Sequence, residues 1–234
     1  TPIMVTGETD NGLSSVKLKV NAQNVVQAAY AGDLKGRLWK FDLSNTAATG
    51  WGVAFGGAKP LFTAPGGDTQ PITVQPLVLD HPLNGKIIYV GTGKLIEADD
   101  KTTIAQQGFY AIWDSDTGGG GITLTDLVVQ TVNKGSVAGV NGNSYYTSSS
   151  NDVNWTNKQG WYLLLATDDP FLGERIIYPA QTSRGRIIFT TAAVTSQDPC
   201  ATTGNGTGRL FELDAAKGGM LNYQVLDTSG DDRI

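Results

Sequence analysis

Apolar residues come in short runs punctuated by Gly, Asn, Asp, Ser and Thr, and within the runs the two faces alternate. In Gly36-Arg37-Leu38-Trp39-Lys40-Phe41-Asp42-Leu43, one face carries Trp39, Phe41 and Leu43 and the other carries Leu38, Lys40 and Asp42. A period of two predicts a β-strand whose sheet stacks face to face with others. Gly108-Phe109-Tyr110-Ala111-Ile112-Trp113-Asp114 and Gly208-Arg209-Leu210-Phe211-Glu212-Leu213-Asp214 share that outline of leading Gly and closing Asp. Gly85-Lys86-Ile87-Ile88-Tyr89-Val90-Gly91-Thr92 and Gly185-Arg186-Ile187-Ile188-Phe189-Thr190-Thr191 form a second matching group. Gly85 and Gly108 stand 23 positions apart (108 − 85), as do Gly185 and Gly208 (208 − 185). One two-strand unit therefore occurs twice, and predicts pairing of 85–92 with 108–114 and of 185–191 with 208–214. A third copy runs from Ala28 to Asp33 and turns directly into Gly36, its insertion reduced to a hairpin.

Repeats of this kind bury their faces only against one another, so several blade-like sheets must stack around an axis. The repeated apolar positions Leu38, Phe41, Ile87, Tyr110, Ile112, Ile187, Phe189, Leu210 and Leu213 are the expected core. Ile72 to Leu79, with Pro71 and Pro76, reads as a strand beginning at a sheet margin. Trp161 to Leu165 and Arg175 to Tyr178 flank Asp168-Asp169-Pro170-Phe171-Leu172-Gly173 and read as a hairpin. Lys134 to Gln159 reads as a long polar loop, and Ile96 to Asp100 as a single helical turn. The fold class is all-β, a partial or complete modified β-propeller with antiparallel blade sheets and long loops. Residues 1–234 read as one such domain, a fragment of a larger exported protein.

Composition agrees with many short strands. The chain has 234 residues, 30 of them Gly, and only 17% are charged. Gly, Asn and Asp supply the positive-φ positions that tight turns need. The net charge of −5 with scattered Lys and Arg argues against a nucleic-acid partner. Trp161–Ala166 is far too short to span a bilayer. Thr1 is not a native start, so the absence of a leader says nothing about export. The single cysteine, Cys200, reads as a buried thiol or as the partner of a thiol elsewhere. The single histidine, His81, lies in a turn and has no second His to complete a metal site.

Catalytic signatures are absent from the sequence. There is no Gly-x-Ser-x-Gly elbow, and Gly91-Thr92-Gly93-Lys94 is too short for a phosphate loop. Asp33, Asp42, Asp114 and Asp214 close strands and read as turn caps rather than catalytic acids. Trp39, Trp113 and Trp161 sit in strand patterns and read as core. Trp51 and Trp155 sit in loops and are the candidates for contact with a partner.

Tyr30-Ala31-Gly32-Asp33-Leu34-Lys35-Gly36-Arg37-Leu38-Trp39-Lys40-Phe41-Asp42-Leu43-Ser44 closely resembles the signature of PilY-type proteins, large exported factors of bacterial type IV pili. Further blocks follow in that family's order: Gly91-Thr92-Gly93-Lys94, Gln107 to Asp114, Gly160 to Leu163, Gly173 to Ile176, Ile188 to Thr191, and Asp198-Pro199-Cys200. The resemblance implies a modified β-propeller and a non-enzymatic role in pilus biogenesis, retraction control, twitching motility, adhesion and mechanosensing. It implies an extracellular place on the pilus (fimbrium) or outer cell surface, with minor pilins or the tip complex as partners and a host or abiotic surface as target. A quinoprotein-like propeller dehydrogenase is the alternative, because such blades also carry Gly-x-Leu-x-x-Leu-Asp motifs; the chain offers no ligand cluster for a metal-bound quinone.

Many members of that family carry an acidic calcium loop just before the position of Tyr30. Its ligand positions fall here on Lys19, Asn21, Gln23, Val25 and Gln27, none of them a carboxylate. The expectation is no calcium in this degenerate loop. The one remaining calcium candidate is the acidic segment of Asp227, Ser229 and Asp231, for which a solvated tail is the plainer reading. No other cofactor is expected.

Overall fold

In the computed structural model, which describes residues 3, 5, 8–138, 144–168, 171–194 and 206–225, the repeated strand pairs form where the 23-residue offset puts them. Sheet I contains β1 (Lys17–Val20), β2 (Val26–Gly32), β3 (Arg37–Asp42), β4 (Gly52–Val53) and β5 (Phe62–Thr63). Sheet II contains β6 (Leu77–Asp80), β7 (Lys86–Gly91), β8 (Gly108–Asp114), β9 (Val128–Gln130) and, beyond a separate hairpin of β10 (Val132–Ala138) and β11 (Ser144–Ser148), β12 (Gly160–Leu164). Sheet III contains β13 (Gln181–Ser183), β14 (Arg186–Thr190) and, beyond the short hairpin of β15 (Ala193–Val194) and β16 (Gly206–Thr207), β17 (Leu210–Asp214).

The pairing is antiparallel, as expected. Lys86 faces Asp114 and Gly91 faces Phe109 across β7 and β8; Arg186 faces Asp214 and Thr190 faces Leu210 across β14 and β17. In the collapsed copy, Ala28 faces Asp42 and Gly32 faces Leu38. The Gly that opens the first strand of the unit is a backbone requirement in both spaced copies, where Gly85 and Gly185 have φ of 72° and 78°, and Gly36 in the hairpin of the collapsed copy has φ of 72°. At Gly85 a Cβ would also lie 2.0 Å from the Asp114 carbonyl oxygen.

Two cores hold the sheets together. Between sheets I and II, Tyr30 and Leu38 pack against Ile88, Val90, Tyr110 and Ile112. Between sheets II and III, Ile87, Phe109 and Trp161 pack against Ile187, Phe189, Phe211 and Leu213. Trp39 and Phe41 lie on the outer side of sheet I, with Ile3 and Val5 against them.

Of the nine expected core residues, Leu210 is the exception: it is 53% exposed, whereas Leu38, its counterpart in the repeat, is 0% exposed. The reason is which faces meet. Leu38 and Tyr110 occupy the same repeat position and face each other between sheets I and II. Sheet III meets sheet II through the other face, Phe211 and Leu213, so Leu210 is turned away from the core. We therefore expect Leu38→Ala to cost about 2–5 kcal/mol of unfolding free energy. Leu210→Ala should cost no more than about 0.5 kcal/mol. Equal urea midpoints for the two variants would contradict this packing.

Three local expectations are corrected. Residues 161–165 and 175–178 do not form a hairpin. Both edges of β12 are taken, by β8 on one side and by β9, in parallel, on the other. Arg175 instead bridges Ala192, and the Ile176 amide donates to the Thr92 carbonyl, tying sheet II to sheet III. Residues 134–159 are not all loop, because β10 and β11 pair within them. The usable signal was the Asn-Gly pair at 141–142 with strand-forming Val137 and Val140 before it and Tyr145 and Tyr146 after it, which polar composition obscured. The strand expected over 72–79 begins only at Leu77, at the sheet margin as anticipated; Ile72 makes an isolated parallel bridge with Gly93. The helical turn is a 3-10 turn over Ala98–Thr102.

Candidate functional site

The four strand-closing aspartates behave alike. Asp33, Asp42, Asp114 and Asp214 each accept the backbone N–H two residues on, from Lys35, Ser44, Asp116 and Ala216. This local bond stabilises the turn that follows each strand. Two of them also do long-range work. Asp33 is buried and collects the Arg37 Nε, the Trp39 Nε1 at 2.8 Å and the Asn11 amide at 3.0 Å. Asp114 accepts the Tyr30 hydroxyl and the Lys40 ammonium, each at 2.6 Å, across the sheet I–II boundary.

The segment Lys19 to Gln27 runs from the end of β1 through the turn into the start of β2, and the Asn21 side chain closes the turn. Asn21 Oδ1 accepts the amides of Gln23 at 3.0 Å and Val25 at 2.9 Å, and Asn24 adopts φ 59°. Lys19 Nζ reaches Asp116 Oδ2 at 2.6 Å, and Lys40 Nζ reaches the same carboxylate at 3.0 Å. Burial opposes charge on Asp116, but the hydrogen bonds from Lys19 and Lys40 win and hold its pKa below the usual carboxylate value. Gln27 gives its amide only to the neighbouring Val26 carbonyl, and Val25 is exposed. Asp227, Ser229, Asp231 and Cys200 lie outside the described residues. Among the described residues, no group of three or more His, Cys, Asp and Glu could hold a metal ion.

The loop tryptophans part company. Trp51 is exposed, its indole N–H held by the Asn45 carbonyl at 2.8 Å. Trp155 is half-buried: it meets His81 edge-on, ring centroids 4.5 Å apart, and Trp113 at 5.8 Å. Trp113, expected in the core, is likewise only half-buried and stacks on His81 at 4.5 Å. The His81 Nδ1 accepts the Leu83 amide at 3.1 Å, so in the neutral ring the proton sits on Nε2. Among the described residues Nε2 has no hydrogen-bond partner, and burial lowers the His81 pKa. The native state thus binds fewer protons here than the unfolded chain. Stability from this site should be full above the ordinary value of 6.5 and fall as pH drops below it. A His81→Phe variant should lose that dependence in urea titrations between pH 7 and pH 5; an unchanged slope would show that other groups cause it.

A concavity opens where the parallel strands β9 and β12 end and their chains diverge. It has a volume of about 420 Å³. Its floor includes Leu165 and Gln130. The Gln130 amide is fully used, donating to the Asn151 and Lys217 carbonyls and accepting from Ser149 and Asn151. Phe171 and Tyr146 form one wall, edge to face at 6.0 Å. The Arg209 guanidinium lies 4.3 Å from the Phe171 ring centre and 5.5 Å from that of Tyr146. Its charge is matched by Glu174, which is completely buried and receives both Nε and Nη2. The lips carry the neutral polar side chains Gln106, Thr131, Asn133 and Thr167 and one carboxylate, Asp168. The sequence reading missed this cleft. Its walls come from segments far apart in the chain, and only the repeat position of Arg209, matching Arg37, carried any signal.

Arg175 is a second residue that the sequence reading left without a role. It is buried, and its guanidinium donates to the carbonyls of Gly173, Lys94, Asp100 and Thr103. It thereby pins the insertion between β7 and β8. Asp100, also buried, caps Ile96 and Glu97 and pairs with Lys94 at 2.6 Å in the same insertion.

Comparison with known proteins places this architecture. Residues 1–151 match the family model for the PilY1 β-propeller domain. A type IV pilus biogenesis factor PilY1 of Pseudomonas aeruginosa is 32% identical over 95% of this chain, which spans 22% of that protein. A PilY1 homologue of Xylella fastidiosa is 33% identical over 92% of the chain, covering 15% of its length. The chain therefore spans about a fifth or less of these relatives. The crystal structure of the Pseudomonas aeruginosa PilY1 C-terminal domain superposes with a TM-score of 0.80 at 30% identity, covering 99% of this chain and 53% of that one.

Proposed function

Because the chain belongs to the PilY1 β-propeller family, we propose that it serves as a non-enzymatic propeller domain of a type IV pilus biogenesis factor, displayed on the pilus tip or outer cell surface. In this reading residues 1–234 form one domain of a larger exported protein, with minor pilins as partners and a host or abiotic surface as target. The carrying observation is the superposition over 99% of the chain together with 32% identity to a named pilus biogenesis factor. Among the described residues, no helix is long and apolar enough to cross a membrane. The test is deletion of the gene, with pilus number, twitching and attachment to glass as readouts, and cross-linking of isolated filaments to identify neighbours. Normal piliation and attachment without the gene would overturn the reading. A visible absorption band from a bound quinone would overturn its non-enzymatic part.

We further propose that the β1–β2 turn binds no calcium. Asn21 already spends its oxygen on two backbone amides, and the first ligand position is held by Lys19, whose ammonium pairs with Asp116. Extracellular calcium sites reach Kd values of only about 10⁻⁴–10⁻³ M. A site without a carboxylate should fall below that. Calorimetric titration should give either no heat or a site removed by Asp227→Asn with Asp231→Asn. A site removed by Asn21→Ala would contradict it.

A further inference from the structure

We infer that the cleft at the ends of β9 and β12 binds a neutral saccharide; the inference rests on the surface-contact role proposed above and names the chemistry of one such contact. The volume of about 420 Å³ is in the range of small-molecule sites. The position has a topological cause. β9 and β12 run parallel with Trp161 beside Val128 and Leu163 beside Gln130, and past these residues the two chains separate. The gap is left at the carboxyl ends of adjacent parallel strands, where ligand crevices form in other sheets.

The lining selects the ligand. Aromatic surface from Phe171 and Tyr146 suits the apolar face of a pyranose ring. Among the described lining residues Arg209 is the one cation and is already neutralised by Glu174, while Asp168 adds a carboxylate, so phosphate, nucleotide and anionic sugars find no unmatched positive charge there. The amide nitrogens of Gln106 and Asn133 are fixed by the Leu165 carbonyl and the Thr147 hydroxyl. Their amide oxygens accept no hydrogen bond among the described residues, which leaves two oriented, neutral acceptors for hydroxyl donors.

A peptide is disfavoured by the backbone of the lips. Thr131 exchanges both of its backbone bonds with Ser149, through N–H to the hydroxyl and carbonyl to the amide. Leu165 gives its N–H to Gln107 and its carbonyl to Gln106, and the Ala166 N–H goes to Glu174. The backbone groups of Thr131 and Leu165 and the Ala166 amide are thus already taken and do not serve an added strand. Recognition must come from side chains, which fits a compact polyhydroxyl ligand.

The experiment is an NMR titration of the 234-residue chain with cellobiose, lactose, maltose and N,N′-diacetylchitobiose, with glucose 6-phosphate, sialyllactose and an oligolysine peptide alongside. At least one neutral disaccharide should shift the Tyr146 and Phe171 ring resonances. Its affinity should fall about tenfold or more in Phe171→Ala and in Gln106→Leu, and should be unchanged in Leu83→Ala, an exposed residue outside the cleft. The second variant leaves the Arg209 stack intact, so loss there is not a folding defect. The proposal is overturned if no neutral disaccharide shifts these rings. It is also overturned if only the charged probes or the peptide do so, or if binding survives both cleft variants. Attachment of cells lacking the gene decides the surface-contact reading separately. Lost attachment with a sugar-blind cleft would remove this inference alone.

Discussion

Asp114→Ala should destabilise the chain by about 3–5 kcal/mol, the cost of removing one partner from a buried ion pair. Asp114 is buried at the end of β8, and its Oδ2 accepts both the Tyr30 hydroxyl and the Lys40 ammonium at 2.6 Å. Burial works against the charge on Lys40, yet the bonds from Asp114 and Asp116 keep its pKa raised. The Tyr30 pKa is raised too, by burial first and then by the Asp114 charge. Without the carboxylate, the boundary between sheets I and II holds a buried cation and a buried hydroxyl that have lost their acceptor. Asp116 compensates only in part, because it sits at the surface and already receives Lys19. Urea unfolding measures the loss. Adding Lys40→Met to Asp114→Ala should recover much of it, since the stranded charge is the main cost. A loss below about 1 kcal/mol for the single variant would mean that water reaches this pair.

Phe109→Ala should cost a similar amount, about 3–5 kcal/mol, for a different reason. Phe109 is completely buried and stacks on Phe189 with centroids 4.1 Å apart and planes 6° from parallel. Phe189 in turn stacks on Phe211 at 4.7 Å and 5°. The three rings form a continuous column between sheets II and III. Truncation opens a cavity in the middle of it, because the backbones on both sides are fixed by their ladders. Such pairs add about 0.5–1.5 kcal/mol beyond area burial. Trp51→Ala, on the exposed loop, should stay within about 0.5 kcal/mol of the parent protein. Equal losses for Phe109→Ala and Trp51→Ala in thermal or urea unfolding would refute the column as a stabilising element.

The sequence by itself determined the two repeated strand pairs, the hairpin of the collapsed copy and the turns that close them. These are local matters: a Gly at positive φ, alternating apolar positions and a closing Asp are all encoded within a few residues of where they act. The order of the PilY-like blocks likewise carried the family. What only the tertiary structure decided was which face meets which. Leu38 and Leu210 are identical in the repeat, yet sheet III turns the Leu210 face outward and sheet I turns the Leu38 face inward. Edge occupancy was equally non-local. β12 was free in the sequence to pair with residues 175–178, but β8 and β9 fill both of its edges. The cleft follows from that choice, because its walls at Gln106, Thr131, Phe171 and Arg209 become neighbours only once β9 lies parallel to β12 and sheet III stacks on sheet II. No local pattern can encode a meeting of side chains whose separation along the chain is set by stacking rather than by spacing.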